Sequence, residues 1–276
     1  MISFPSCKIN LGLRITQKRS DGFHALETIF FPIKLTDALE IITTTNQTST
    51  PLTFTSSGLP ISGSQSDNLC CNAYWLLKND FPTLPAVTMH LHKKIPMGAG
   101  LGGGSADGAF TLLLINQKYN LGISREALMQ YALSLGSDCP FFILNSPAYA
   151  TGRGEILTPT TVNLEGYTIV VVNPGISIST KLAFSLITPI WPSQSVLQII
   201  QSPIETWKDK LINDFEAPVF NSFPELAKIK KTLYINGAVY ASMTGTGSTV
   251  YGIFPSSIIP EISFDFPANY FVYVNL

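Results

Sequence analysis

The segment Gly98 to Gly104 carries five glycines in seven residues and runs directly into Ser105, Ala106, Asp107 and an apolar stretch, Phe110 to Ile115. Glycine lets a backbone turn tightly and lets a ligand approach without interference from a Cβ atom. A helix starting at about Gly103 to Ser105 aims unpaired N–H groups and a positive dipole end at whatever the loop encloses. Phosphate suits such a place. A glycine cluster alone marks only a turn, but here an alternating strand, Val87 to Lys93, leads in and a helix leads out.

Two familiar phosphate loops fit poorly. Gly98, Gly100 and Gly103 satisfy G-x-G-x-x-G, the dinucleotide fingerprint. That fingerprint needs the strand to feed straight into the turn and an acidic residue at the end of the next strand. Several residues intervene here, and the acidic candidate, Glu126, falls in a helical pattern. A Walker A loop closes on Gly-Lys-Ser/Thr, yet no lysine follows until Lys118.

Composition narrows the class. The chain has 276 residues, 45% hydrophobic and only 13% charged, so a large core is expected and disorder is not. A net charge of −1 argues against nucleic acid or an anionic membrane as the main partner. Cys7, Cys70, Cys71 and Cys139 lack C-x-x-C spacing and read as small core residues in a reducing cytoplasm. No signal-peptide pattern or membrane-length apolar run is seen, so a soluble cytoplasmic protein is expected. His90 and His92, on the polar side of their strand, read as solvated residues, and the cysteines and histidines form no persuasive zinc site.

Residues 3 to 56 alternate as strands, around 9–15, 28–33, 39–43 and 52–55, with the Thr/Asn/Ser run 43–50 as a turn. Asp67 or Asn68 caps a helix through Leu77. Further helices are expected from the glycine loop to about Lys118 and from Ser124 to Leu135, then a short strand from Phe141 to Leu144. A second unit begins near Gly166 with a strand, Tyr167 to Val172. Helical patterns follow at 181–187, 196–200, 207–220 and 225–234, and strands at 238–243, 249–254 and 271–274. Strands and helices mix without regular βαβ alternation, so the fold class is α+β rather than doubly wound.

Lys8 sits in the first strand pattern, where a lysine ordinarily lies at an edge and snorkels outward. Asp138, in Gly136-Ser-Asp-Cys-Pro140, reads locally as a turn carboxylate. The pattern from Pro96 to Ala106 changes both readings, because it closely resembles the ATP loop of the GHMP kinases. Pro5-Ser-Cys-Lys8-Ile-Asn10 and the Gly-Ser-Asp-Cys-Pro run resemble two further elements of that family, and Met243-Thr-Gly-Thr-Gly-Ser248 resembles its C-terminal glycine loop.

The resemblance implies an ATP-dependent small-molecule kinase of the two-domain GHMP fold. An N-terminal ribosomal-protein-S5-like domain would span 1–155, and a C-terminal ferredoxin-like domain 156–276, with substrate between them. Lys8 and Asp138 would be catalytic. Pro96, Met97, Gly98, Ala99, Gly100, Leu101, Gly102, Gly103, Gly104, Ser105 and Ala106 would bind ATP. Mg2+ would arrive with ATP, its protein ligands unknown, with Ser105 the nearest hydroxyl. The elements Arg19-Ser-Asp-Gly-Phe-His24 and Asn173-Pro-Gly-Ile-Ser-Ile-Ser-Thr180 are similar to one branch, whose acceptor is a cytidyl diphosphate-linked methylerythritol. There Phe23 and Phe184 would stack on cytosine and His24 would meet its edge. Asn10, Thr180 and Gly245 would complete the substrate site, in a monomer or weak homodimer. A mevalonate- or homoserine kinase-like enzyme, or a non-catalytic nucleotide-binding regulator, stands as the alternative.

The chemistry is coherent. Phosphoryl transfer passes through a loose transition state, so catalysis is mostly alignment and charge stabilisation. A carboxylate with an ordinary pKa of about 3.9 cannot deprotonate an alcohol beforehand, but it can orient the hydroxyl and take its proton late. An adjacent ammonium would keep that carboxylate ionised.

Overall fold

The computed structural model describes residues 1–44, 50–257 and 266–275. Along the chain lie β1 (Ile2–Ser3), β2 (Ser6–Lys18), β3 (His24–Thr36), β4 (Ala38–Thr43), β5 (Leu52–Gly58), α1 (Leu69–Asp80), β6 (Val87–Lys93), α2 (Gly103–Tyr119), α3 (Arg125–Leu135) and α4 (Cys139–Leu144). Then come β7 (Ala148–Thr151), β8 (Ile156–Pro159), β9 (Tyr167–Asn173), α5 (Thr180–Ser185), α6 (Val196–Ile200), α7 (Glu216–Ser222), α8 (Pro224–Ile235), β10 (Tyr240–Met243), β11 (Val250–Pro255) and β12 (Phe271–Asn275). The turn expected over residues 43–50 falls largely outside the described residues.

Two compact units divide the chain. The first holds residues 1–7, 34–97 and 102–146; the second holds 8–33, 98–101 and 147–276. The C-terminal part therefore groups with residues 8–33 rather than beginning afresh near 155.

In the first unit the sheet order is β1-β4-β6-β5, with β4 antiparallel to β6 and β5 parallel to it. Alternation in β6 buries Val87, Met89 and Leu91 and turns His90 and His92 the other way. Their ring nitrogens meet the hydroxyls of Thr55 and Ser57 on β5, at 2.8 to 3.0 Å. Helix α1 starts where Asn68 Oδ1 accepts from the N–H groups of Cys70 and Cys71, satisfying two donors the helix cannot. Ser124 caps α3 in the same way. Helix α2 buries residues on most of its circumference and stops at Asn120, whose φ of 51° is left-handed.

One expectation fails here. Residues 141–144 form no strand but most of α4, which begins at Cys139. A four-residue apolar run does not distinguish the two by period. Pro140 in the first turn starts a helix readily, and Asn145, at φ 48°, ends it.

The second unit contains the sheet order β2-β3-β7-β8, over residues 8–33 for its first two strands, and the antiparallel sheet β10-β11-β9-β12. Val170, Val172, Ala241, Met243 and Val250 of the latter pack with Leu226, Ile229 and Leu233 of α8 in one core. The hairpin β7–β8 was not legible in the sequence. Nor does a helix run from 207 to 220. Leu13 N–H donates to the Ile212 carbonyl and Asp214 N–H to the Leu13 carbonyl, so strand-like pairing at 212–214 displaces helix until α7 begins.

Candidate active site

The glycine loop is left-handed at alternate residues: φ is 63° at Gly98, 78° at Gly100 and 70° at Gly102. Gly102 is the residue before α2, whose first turn is Gly103, Gly104 and Ser105. The glycines serve different purposes. A Cβ on Gly100 would lie 2.1 Å from the Thr244 carbonyl oxygen, and one on Gly103 would lie 2.8 Å from Ile95 Cγ2. At Gly98 and Gly104 nothing stands within 4 Å. The fold itself therefore requires glycine at 100 and 103, whereas 98 and 104 face open space.

Lys8 does not snorkel. It is 3% exposed, with Nζ donating to Asn10 Oδ1 at 2.7 Å and to the Gly100 carbonyl at 3.0 Å. Its backbone N–H holds the Leu101 carbonyl at 3.0 Å, and Nζ stands 5.0 Å from the Phe30 ring centre. Asn10 is buried and its side chain is committed. Oδ1 also meets the Thr244 hydroxyl at 3.1 Å, and Nδ2 donates to the Thr28 hydroxyl at 3.0 Å. The Thr244 hydroxyl lies 3.1 Å from the Gly100 carbonyl. The lysine strand, the glycine loop and the C-terminal loop thus share one hydrogen-bonded knot within the second unit. Gly245, next in that loop, has φ 57°, and its carbonyl accepts from Asn213 at 2.9 Å.

Asp138 belongs to the first unit. It is half-buried and immediately precedes α4. Its neighbour Cys139 is buried; burial pushes that thiol up to about 12, against a hydrogen bond with the Ser105 hydroxyl that lowers it. This contact sets α4 beside the first turn of α2.

Sequence reasoning missed an ion cluster beneath that turn. Lys93 ends β6 fully buried, its ammonium bonded to Asp37 and, at 2.7 Å, to Asp107 of α2. Asp37 also accepts from the Ile95 N–H at 2.8 Å, which fixes the chain as it leaves the strand for the loop. The signal was present: Lys93 is in phase with Val87, Met89 and Leu91, so it points to the buried face. Also missed was a cavity of about 320 Å³ in the first unit, lined by Ile61, Asn68, Leu69, Cys70, Leu91 and Met97, together with Gly104 and Asp107.

Pro96, Met97 and Ala106 lie in the first unit, and the residues predicted to meet the acceptor lie in the second. Phe23 is 54% exposed and its N–H donates to Asp21 at 3.1 Å. His24 stacks on Phe184 with ring centres 5.0 Å apart and planes at 27°, and Phe184 meets Phe215 edge-on at 4.9 Å. Thr180 is the exposed first residue of α5.

A glycine loop opening a helix N-terminus, with a buried lysine tied to the loop's own carbonyl, is an arrangement suited to a phosphate-handling protein. Residues 68–146 match the family model for the GHMP kinases N terminal domain, and residues 202–269 match that for GHMP kinases C terminal. The chain belongs to the GHMP kinases. It is 50% identical to a 4-diphosphocytidyl-2-C-methyl-D-erythritol kinase of Bacteroides fragilis over 266 residues, 96% of either chain. Against the enzyme of that name from Bacteroides thetaiotaomicron, identity is 47% over 274 residues, covering 99% of this chain and 98% of the other. A crystal structure of 4-(cytidine 5'-diphospho)-2C-methyl-D-erythritol kinase superposes with a TM-score of 0.84 at 30% identity, covering 99% of this chain and 98% of that one.

Proposed function

We propose that this enzyme transfers the γ-phosphoryl group of ATP to the 2-hydroxyl of 4-diphosphocytidyl-2-C-methyl-D-erythritol, in isoprenoid precursor synthesis. One structural observation carries most of the chemical reading: Lys8, a buried cation, is hydrogen-bonded to Gly100 of the glycine loop. An ammonium fixed to the loop is preorganised for charge developing on a transferring phosphoryl group.

The open position at Gly104 would receive phosphate, with the N–H groups of the first turn of α2 as donors. The cavity beside Gly104 would take the nucleoside. Among the described residues no three His, Cys, Asp or Glu side chains are grouped to hold a metal. Mg2+ keeps waters and favours phosphate oxygens; it would be held mainly by the nucleotide, with Ser105 as the nearest hydroxyl of the chain. It would neutralise phosphate charge. Asp138 would orient the acceptor hydroxyl and take its proton as the bond to phosphorus forms. Asn10 would act behind Lys8, fixing its ammonium, rather than on the substrate directly. Phe23, His24 and Phe184 would receive the cytosine, and Thr180 and Gly245 would line the remainder.

Among the described residues no helix is long and apolar enough to cross a membrane. All four cysteines are buried thiols, which supports a reducing, cytoplasmic setting.

The test is ADP release from ATP with a panel of acceptors: the cytidyl-linked methylerythritol, mevalonate, homoserine and galactose. Turnover confined to the first is the expected result. Faster turnover of mevalonate or homoserine would overturn the acceptor assignment, and failure with every acceptor would point to a regulator.

A further inference from the structure

The turn joining β7 to β8 is built more firmly than a hairpin of its length requires. Gly152 and Gly154 are left-handed, at φ 70° and 109°. The Glu155 carboxylate accepts the Arg153 N–H and lies 3.8 Å from its Nε. A Cβ on Gly152 would come within 2.8 Å of that carboxylate. Leu26 N–H donates to the Gly152 carbonyl at 2.8 Å, which fastens the turn to β3. The result is that the Arg153 guanidinium stands 4.9 Å from the centre of the Phe23 ring. Asp21 accepts the Phe23 N–H and is itself held by Arg19 at 2.9 Å. A cation at that distance is attracted to the ring face, and Phe23 is still 54% exposed.

We infer that Arg153 is a positioning residue for the acceptor base: its guanidinium covers one face of Phe23 and fixes the ring so that the other face receives the pyrimidine. The inference rests on the reading of Phe23 as a base platform. A ring held before binding loses less rotational freedom when the base arrives, so the effect falls on acceptor binding and not on phosphoryl transfer.

Steady-state kinetics of the full chain with ATP and the cytidyl-linked methylerythritol test this. Arg153→Ala raises KM for the acceptor about three- to tenfold, the range of a partly exposed cation–π contact. The change is confined to that constant, leaving kcat and KM for ATP in place. Arg153→Lys, which keeps the charge, recovers most of the loss; Arg153→Leu, which keeps the bulk, does not. In a Phe23→Leu background Arg153→Ala adds nothing further. Recovery by leucine, additive losses or an unchanged KM in Arg153→Ala would each overturn the inference. Phe23→Ala separates it from its premise. If that change leaves acceptor KM unaltered, the platform reading itself fails. If it raises KM while Arg153→Ala does not, only the role of Arg153 fails.

Discussion

Lys93 Nζ lies 2.7 Å from Asp107 Oδ2, tying the last residue of β6 to the second turn of α2. Two carboxylates, Asp37 and Asp107, share this one ammonium, and Asp107 Oδ1 is buried without a hydrogen-bond partner. Burial pushes the Asp107 carboxyl up to about 7; Lys93 pulls it down and Asp37 raises it. Burial would lower Lys93, but Asp107 and then Asp37 outweigh it, and its net shift is upward.

Stability should carry the mark of this cluster. An unfolded aspartate titrates near ~3.9, so between that value and the raised folded one, the native state keeps a proton that the unfolded chain has released. Stability contributed by Asp107 therefore falls as pH rises through this window. Asp107→Asn removes that slope. Urea melts of both proteins from pH 5 to 8 should show the variant gaining on the parent as pH increases. A difference that stays flat would mean that Asp107 is ionised throughout.

Asp138→Asn should lower kcat by about 10²- to 10⁴-fold, the usual range for a positioned acid or base, with ATP binding near that of the parent. Lys8→Met should lower it comparably. Residues acting as one unit give losses that do not add, so the double variant should resemble the worse single one. Rapid-quench measurement of the chemical step is the check. Multiplied losses would show that the two side chains work independently.

The loop glycines offer a clean contrast. Gly100→Ala forces a Cβ onto the Thr244 carbonyl at a left-handed residue and should cost about 3 kcal/mol or more of stability. Gly104→Ala meets nothing and leaves an ordinary helical residue, so its Tm should match the parent or exceed it. Its KM for ATP should rise, because the new methyl stands where phosphate would approach. Calorimetry with ATP titration distinguishes the two.

Phe184 and Phe23 should part company in the same way. Phe184 packs against Phe215 and His24, so Phe184→Ala should lower both Tm and affinity for the cytidyl acceptor. Exposed Phe23 should affect affinity alone, by about 1–3 kcal/mol if it stacks on the base. Phe23→Tyr should be nearly neutral. Equal loss of Tm in both alanine variants would argue that Phe23 is structural.

Much of this was visible in the sequence because it was local. The glycine run placed the start of α2 within Gly103 to Ser105, and the pair Asp67–Asn68 and then Ser124 marked the starts of α1 and α3, since a helix start needs only a few neighbours. Residues 141–144 were misread because a short apolar run lacks a period, and 207–220 because pairing with Leu13 depends on a strand some two hundred positions away. The catalytic candidates were legible only through the family resemblance: Lys8 alone looks like an edge lysine. The Asp37–Lys93–Asp107 cluster joins three elements, and only the phase of Lys93 hinted at it.

Asn10 has a consequence of another kind. Its amide must present oxygen to Lys8 and Thr244 and nitrogen to Thr28, whose own hydroxyl proton goes to the Gly12 carbonyl. Aspartate, of nearly the same shape, would set an acceptor against that hydroxyl oxygen with no proton between them. Leucine would take from a buried ammonium one of its partners, leaving the Gly100 carbonyl. Either isostere would cost a buried hydrogen bond, the charged one because Thr28 would have to turn its proton away from the Gly12 carbonyl, so what favours the amide at residue 10 is the direction of its hydrogen bonds rather than its size.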